Sequence, residues 1–274
     1  MMVDRRLVAV FVILVLSYGV IARAEIYNVQ FRPRAVSAAG EDYTARATCK
    51  GLWFITSTRT DDHCDAAGQN GEDTLTENGD PTSSSTVPTG ASGNSVDFDG
   101  TGDYFTLADD TAFESNAFTV CAWIHSDNTA GGWVMEKHDG TNGWTFALAD
   151  GNRKVSASVR DKTEQSDDPA FSASVYFHFC ARYSHASDVL EVYVDGVEAC
   201  STPCVAAADR ATSSTVALGL GADAAGGFSI DALMYEVAYF AEELAATEIC
   251  EICRKGIDGT VADRPSDCNT CTLP

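Results

Sequence analysis

Basic side chains are scarce in this sequence. The 274 residues include 18 lysines and arginines against 40 aspartates and glutamates, giving a formal net charge of −22. A field of this sign repels phosphate backbones, so the composition argues against nucleic acid as a partner. Solubility in a salty medium is the preferred explanation of the acidity, and cation binding is the alternative that the acidity permits.

Long apolar runs are also absent beyond the first residues of the chain. Residues 7–21 are nearly all apolar, follow two arginines and precede Ala22-Arg23-Ala24. This pattern predicts a secretory signal peptide over residues 1–24, with cleavage after Ala24. A retained anchor is the alternative for so short a run. We therefore expect a secreted, extracellular protein with no membrane span after cleavage.

The ten cysteines fit an exported protein, because an even number behind a signal peptide predicts disulfides. Cys200 and Cys204 flank a Ser-Thr-Pro sequence, which predicts a small-loop bridge. Cys49 and Cys64 are predicted to join the first strand to the loop that follows it.

The last four cysteines allow two interpretations. Cys250-x-x-Cys253 and Cys268-x-x-Cys271 have a spacing close to that of a zinc ribbon. In an exported protein we favour two disulfides that join the tail to the terminal helix, and the sequence leaves their pairing open. A redox role for Cys250 and Cys253 lacks a surrounding βαβ pattern.

Residues 95–249 form a series of short segments rich in β-branched and aromatic residues, each bounded by Gly, Asp, Asn or Ser. Alternation within residues 118–125 places Phe118, Val120, Ala122 and Ile124 on one face of a strand. Asp195-Gly196 supplies the pair that a tight hairpin turn requires. Such a series predicts an antiparallel all-β sandwich.

The remaining segments have simpler patterns. Residues 25–48 indicate an extended lead-in, residues 50–56 a strand, and residues 61–86 a long polar surface loop. Residues 242–255, rich in Ala, Glu and Leu, predict a short helix that ends before Gly256.

Several of these phrases resemble a known family. They are Phe98-Asp99-Gly100 with Gly102-Asp103-Tyr104, Phe118-Thr119-Val120-Cys121-Ala122-Trp123, Val192-Tyr193-Val194-Asp195-Gly196 and the closing residues 237–249. Through them, residues 51–249 resemble the laminin G-like, concanavalin A-like jelly roll, especially its pentraxin-related branch. The resemblance implies a two-sheet antiparallel jelly-roll sandwich over residues 49–249 with a short C-terminal helix. A cysteine-rich tail over residues 250–274 is expected to follow it.

The pentraxin resemblance implies one disulfide in particular. His178-Phe179-Cys180 is similar to the pentraxin His-x-Cys motif, whose cysteine pairs with one in an earlier Phe-Thr-Val-Cys strand. Here that partner is Cys121. Both cysteines lie in the middle of predicted strands, where adjacent antiparallel strands can bring them together. Two buried free thiols are the alternative, and His178 is expected to pack beside the disulfide.

Residues that support catalysis are missing from the expected positions. Laminarinase-type hydrolases of this fold carry a Glu-Ile-Asp-x-x-Glu strand, which presents two carboxylates on one face. The nearest match is Ser229-Ile230-Asp231-Ala232-Leu233-Met234, which lacks both glutamates. The five histidines lie in no recognisable catalytic motif. We therefore expect a protein that is not an enzyme.

Calcium is the one cofactor that the resemblance suggests. Pentraxin calcium sites use an Asp-Asn pair in an early loop and an acidic run after Leu-Gly, and Asp139, Asn142 and Asp223 occupy the matching positions. Calcium requires six to eight oxygens, and Gly221 and Ala222 replace two of the donors. Ordinary turn chemistry is the preferred explanation for Asp139 and Asn142.

A hairpin or bulge role is preferred in the same way for Asp99 and Asp103.

The function predicted from these features is that of a secreted, non-catalytic binding module for carbohydrate or for a glycan of the cell surface or matrix. A structural or adhesive protein that associates with itself or with another extracellular protein is the alternative, and a glycoside-acting enzyme ranks third. Trp53, Trp123, Trp133 and Trp144 lie inside strand phrases, so core packing is preferred over sugar stacking for all of them.

Overall fold

The computed structural model describes residues 43, 45–53, 64, 74–127, 131–149, 153–160, 162–167, 171–187, 189–200, 212–257, 268 and 271. The chain divides into two units, Met1–Ala35 and Val36–Pro274, and every described residue lies in the second. The predicted signal peptide and Cys204 lie outside the described residues. Within them, no helix has the length and apolar character needed to cross a membrane.

Short β-strands make up most of the described structure. They are β1 Cys49–Trp53, β2 Thr76–Asn78, β3 Thr82–Ser84, β4 Ser95–Asp99, β5 Tyr104–Leu107, β6 Ala117–His125, β7 Gly132–His138, β8 Gly143–Ala149, β9 Lys154–Val159, β10 Lys162–Gln165, β11 Tyr176–Ser184, β12 Val189–Val194, β13 Val197–Glu198, β14 Leu218–Leu220 and β15 Asp231–Phe240. A 3₁₀ helix covers Thr111–Phe113, and the helix α1 covers Ala246–Lys255.

The strands form two antiparallel sheets. Sheet A has eight strands in the order β13-β12-β11-β6-β15-β4-β3, with β1 paired to β15. Sheet B has seven strands in the order β10-β9-β8-β7-β14-β5-β2. These two sheets and the short helix near the C-terminus confirm the predicted all-β sandwich.

Strand β6 shows how alternation builds the core. Phe118, Val120, Ala122 and Ile124 all point into the main apolar cluster between the sheets, as the sequence predicts. The opposite face of β6 is buried as well, because Trp123 lies under the C-terminal segment. The strand is therefore covered on both sides.

The segment predicted as a polar loop, residues 61–86, contains two strands. Strand β2 pairs with β5 at the edge of sheet B, and β3 pairs with β4 at the edge of sheet A. Both strands are short and polar, and their backbone hydrogen bonds depend on partners distant in sequence. Local patterns could not reveal them for that reason.

Helix α1 begins later than predicted, at Ala246 instead of near residue 242. The Thr119 hydroxyl donates to the Glu242 carbonyl oxygen at 2.9 Å and accepts the Leu244 N–H at 2.9 Å. These bonds hold the preceding segment against β6 and out of the helix. Gly256 ends the helix with a φ of +77°, as the sequence predicts.

Turns with positive φ position the strands. Asp195 and Gly196 have φ values of +50° and +77°, which confirms the predicted hairpin between β12 and β13. The Asp99 side chain accepts the Thr101 N–H at 2.7 Å, and Asp103 accepts the Asp80 N–H at 3.0 Å. Asp99 and Asp103 thus act in a turn as expected, but this turn joins sheet A to sheet B and is not a hairpin.

The outer face of sheet A is covered by the C-terminal segment. Trp123, Tyr176 and Tyr235 form a buried cluster there with the last four cysteines. A Cβ at Gly196 would lie 2.7 Å from the Cys271 Sγ, so the turn between β12 and β13 also abuts this segment. The covering thus lies over β6, β11 and β15 of sheet A.

Disulfides reinforce this arrangement. The bridges are Cys49–Cys64, Cys121–Cys180, Cys250–Cys271 and Cys253–Cys268. The first two are the predicted pairs, and the last two join α1 to the tail as disulfides and not as a zinc site. Cys200 is also disulfide-bonded, and its predicted partner Cys204 lies outside the described residues. His178 packs 3.7 Å from the Cys180 Sγ, as predicted.

Removing the Cys121–Cys180 disulfide is expected to lower the free energy of unfolding by more than removing the Cys49–Cys64 disulfide. Cys121 and Cys180 are separated by 59 residues and Cys49 and Cys64 by 15. The chain-entropy model gives about 4 kcal/mol for the longer loop and about 3 kcal/mol for the shorter. Urea denaturation of the two double alanine variants measures the difference. A larger loss from the Cys49 and Cys64 double variant would contradict this ranking.

A buried lysine joins residues 109–114 and 214–216 to sheet B. Lys137 is fully buried, and its ammonium lies 2.5 Å from Asp109 Oδ1 and 3.1 Å from Glu114 Oε1. The same ammonium donates to the carbonyl oxygens of Val216 at 3.0 Å and Ser214 at 3.3 Å. One cation therefore holds two separate chain segments to β7.

Lys137→Met is expected to lower the free energy of unfolding by roughly 3 kcal/mol. Removing one partner of a buried ion pair leaves the other charge without compensation, and here Glu114 is the more buried carboxylate. Chemical denaturation measures the loss, with Lys154→Met at a partly exposed strand end as the matched control. Equal stability of the two variants would contradict the assigned role of Lys137.

Candidate functional site

A groove lies on the outer face of sheet B. Its volume is about 310 Å³. It is lined by Gly131, Gly132, Trp133, Ala147, Leu148, Ala149, Ser156, Ser158, Thr163, Gln165 and Phe228. The register explains the shared face, since Trp133 pairs with Ala147 and Ala147 with Ser156 across β7, β8 and β9. We call this feature the outer groove.

Phe228 is the most unusual residue of the outer groove. Its side chain is 73% exposed, and its backbone has a φ of +54°. An aromatic residue with positive φ is strained, and an exposed aromatic ring gains little from burial. Two unfavourable features at one position make Phe228 a candidate functional residue.

The Phe228 ring packs against Trp133. Their ring centroids are 5.4 Å apart with an interplanar angle of 56°. The backbone N–H of Trp133 donates to the backbone carbonyl oxygen of Phe228 at 3.0 Å. Trp133 is only partly buried, unlike Trp53, Trp123 and Trp144, which are fully buried. Core packing was therefore the wrong expectation for Trp133, because a bulge between Trp133 and Met135 turns this side chain outward.

Residues 221–230, between β14 and β15, form a loop that we call the Phe228 loop. Hydrogen bonds within this loop and to β7 hold it in place. The Asp223 carboxylate accepts the N–H groups of Ala225 and Gly227 at 2.8 Å each. The Gly221 N–H donates to the Val134 carbonyl oxygen at 3.1 Å, which anchors the start of the loop to β7. Asp223 thus organises the turn that presents Phe228.

Polar side chains line the opposite part of the outer groove. Ser158 and Thr163 hydroxyls lie 2.8 Å apart across β9 and β10. Thr163 and Gln165 are exposed, whereas Ser156 is buried in the floor. Hydroxyl and amide groups both donate and accept hydrogen bonds, so they suit a ligand rich in hydroxyl groups.

A buried carboxyl group lies beside the Phe228 loop. Glu136 is 6% exposed and pairs with Thr145 and Gly219, so it shares the outer face with Trp133. Burial raises the pKa of Glu136 to about 7, and the neighbouring Asp223 carboxylate adds to the rise. An N–H from His138 to the carboxylate acts in the opposite direction. Ionisation of Glu136 near neutral pH therefore places a second negative charge next to Asp223.

The residues predicted for calcium are found in two separate turns. Asp139 accepts the N–H groups of Thr141 at 2.8 Å and Asn142 at 2.7 Å, and these bonds hold the pKa of Asp139 below its usual value. This turn follows the end of β7, whereas the Asp223 loop begins opposite Val134 near the start of β7. Both aspartates have turn functions, and calcium binding by Asp139, Asn142 and Asp223 stays a prediction.

The comparisons with known proteins place the chain in a family. A laminin G family model, described as the concanavalin A-like lectin/glucanases superfamily, matches residues 99–250. The chain belongs to this superfamily. The matched region begins in β4 and ends within α1, so it includes the whole outer groove. No curated protein sequence matches this member of the superfamily significantly.

Solved structures show the same fold at low sequence identity. The receptor-binding domain of the botulinum neurotoxin C/D mosaic serotype has a TM-score of 0.56 at 13% identity, covering 78% of this chain and 55% of that one. The binding domain of botulinum neurotoxin DC in complex with rat synaptotagmin II has a TM-score of 0.54 at 12% identity, with coverage of 78% and 52%. This chain spans about half the length of those domains.

A third structure concerns botulinum neurotoxin type C and its interaction with two ganglioside molecules. Its TM-score is 0.53 at 12% identity, and the match covers 75% of this chain and 50% of that one. At such identities the likeness establishes the shared fold. It does not transfer a binding site.

Glu136→Gln is expected to remove a pH dependence of stability. The pKa of Glu136 is raised from 4.5 to about 7 on folding, so folding favours the protonated carboxyl. The stability that Glu136 contributes is therefore fully present below pH 4.5 and is lost as the pH rises through 7. A shift of this size corresponds to about 3 kcal/mol. Denaturation curves between these pH values are expected to show a smaller decline for Glu136→Gln than for the wild type. Parallel declines would contradict the assignment.

Proposed function

We propose that this protein is a secreted, non-catalytic module that binds glycans through the outer groove. The observation that carries the proposal is the exposed, strained Phe228 ring beside Trp133, facing a row of hydroxyl and amide groups. Aromatic faces pack on the apolar faces of sugar rings, and the neighbouring polar groups bind sugar hydroxyls. A core residue would need neither the exposure nor the strain.

The family supports this proposal at the level of fold. Lectins occur in the concanavalin A-like superfamily, and two of the similar structures concern toxins that bind a ganglioside or a protein receptor. One fold hosts many functions, so the argument depends on the groove itself. A structural or adhesive role through self-association is the second candidate, which the exposed Phe228 ring also supports.

A glycan array probed with the purified protein, with calcium and with a chelator, tests the proposal. Binding in either condition supports a glycan-binding module, and loss of binding in chelator supports the predicted calcium site. Binding to no glycan together with a defined oligomer in solution would favour the self-associating protein. Turnover of a polysaccharide would contradict both the non-catalytic glycan-binding module and the self-associating protein.

Phe228→Ala is expected to weaken glycan binding by roughly 10- to 100-fold, because an aromatic contact of this kind contributes about 1.5–3 kcal/mol. Titration calorimetry with an array hit measures the loss. Alanine keeps the strained backbone but removes the ring, and Phe228→Leu keeps apolar bulk without aromatic character.

Val175→Ala is the matched control for this prediction, since Val175 is another exposed apolar side chain, at 55%, and does not line the groove. Wild-type affinity in Phe228→Ala, or an equal loss in the control, would place the glycan elsewhere.

A further inference from the structure

The outer groove extends across neighbouring strands. Its lining passes from Trp133 on β7 through Ala147 on β8 and Ser156 on β9 to Gln165 on β10. Adjacent strands lie about 4.8 Å apart, so the groove is roughly 14 Å long in this direction. This length exceeds a single sugar ring and suits an extended oligosaccharide that runs perpendicular to the strands.

One end of the outer groove is closed by the Phe228 loop. The loop lies directly on the outer face of β14, where a Cβ at Gly219 would be 2.4 Å from the Ala222 carbonyl oxygen. This close backbone packing leaves no room for a ligand to pass beneath the loop, and Phe228 stands at the closed end.

The other end differs in structure. Among the described strands, β10 is the last one on this side of sheet B, and both Thr163 and Gln165 are exposed. A chain that lies along the groove therefore has its aromatic contact at the closed end and its polar contacts where it leaves the sheet.

Among the residues that the structure describes, the lining carries no ionisable side chain. Lys154 begins β9 and Arg160 directly follows it, and neither is among the residues that line the groove. The whole chain has a net charge of −22, which adds a repulsive field for acidic glycans. Both features favour an uncharged ligand.

We propose that the outer groove binds the end of an extended, uncharged oligosaccharide, whose terminal ring packs against Phe228 and Trp133 and whose chain runs across β8 and β9 to Thr163 and Gln165. This inference rests on the proposed glycan-binding function. It adds the direction in which the oligosaccharide lies, a minimum length for it, and separate contacts for its terminal ring and for the rest of its chain.

Calorimetric titration with neutral oligosaccharides derived from cellulose, laminarin, mannan and starch, from the single sugar to the hexasaccharide, tests the inference. In the series that binds, affinity is expected to rise over the first few rings and then to level off. Phe228→Ala is expected to weaken binding at every length by a similar factor. Thr163→Ala and Gln165→Ala are expected to weaken only the longer members, by about 3- to 10-fold.

Exposed positions such as Thr163 and Gln165 tolerate alanine, and thermal denaturation verifies that each variant is folded. Affinity that does not depend on length, or a Gln165→Ala loss as large for the single sugar as for the hexasaccharide, would overturn the inference and leave glycan binding intact. Preferential binding of sialylated or sulfated glycans on the array would overturn it as well. Binding to no glycan at all would overturn the proposed function together with this inference.

Discussion

The covering of sheet A by the C-terminal segment is the constraint on which the rest of the molecule depends. Strand β6 presents apolar residues on both faces, and its outer face is buried because α1 and the last four cysteines pack over Trp123 and its neighbours. Without this cover, three large aromatic side chains of sheet A would lie in water. The cover buries the outer face of sheet A around Trp123, whereas the outer groove lies on the outer face of sheet B.

The two disulfides of the tail make this cover durable. A short helix of ten residues is marginal by itself in water, and Cys250–Cys271 and Cys253–Cys268 join it to the tail that follows. Thr119 adds to the docking by holding residues 242 and 244 against β6. The helix is therefore stabilised by its contacts with the sheet and the tail more than by its own sequence.

On sheet B, polar and charged groups position the exposed features. Lys137 holds residues 109–114 and 214–216 to β7. Asp223 orders the loop that presents Phe228. Glu136 lies between these two systems, on the outer face of β7, and its raised pKa reflects the cost of a buried charge beside Asp223. Phe228 is thus presented by a loop that depends on the Asp223 turn, and its own backbone has a positive φ.

Much of the fold followed from the sequence, because alternation in residues such as Phe118 to Ile124 and the Asp195-Gly196 turn are local signals. The Cys121–Cys180 pair was also predictable, through a family motif. The groove could not be predicted, since Trp133, Gln165 and Phe228 are far apart in sequence. The sequence alone indicates a core position for Trp133, and the bulge in β7 turns its side chain outward instead. Local patterns along the chain were enough to predict two sheets with apolar inner faces. Which outer face is covered could be seen only in the folded molecule, because it depends on where α1 and the last four cysteines pack and not on any local pattern.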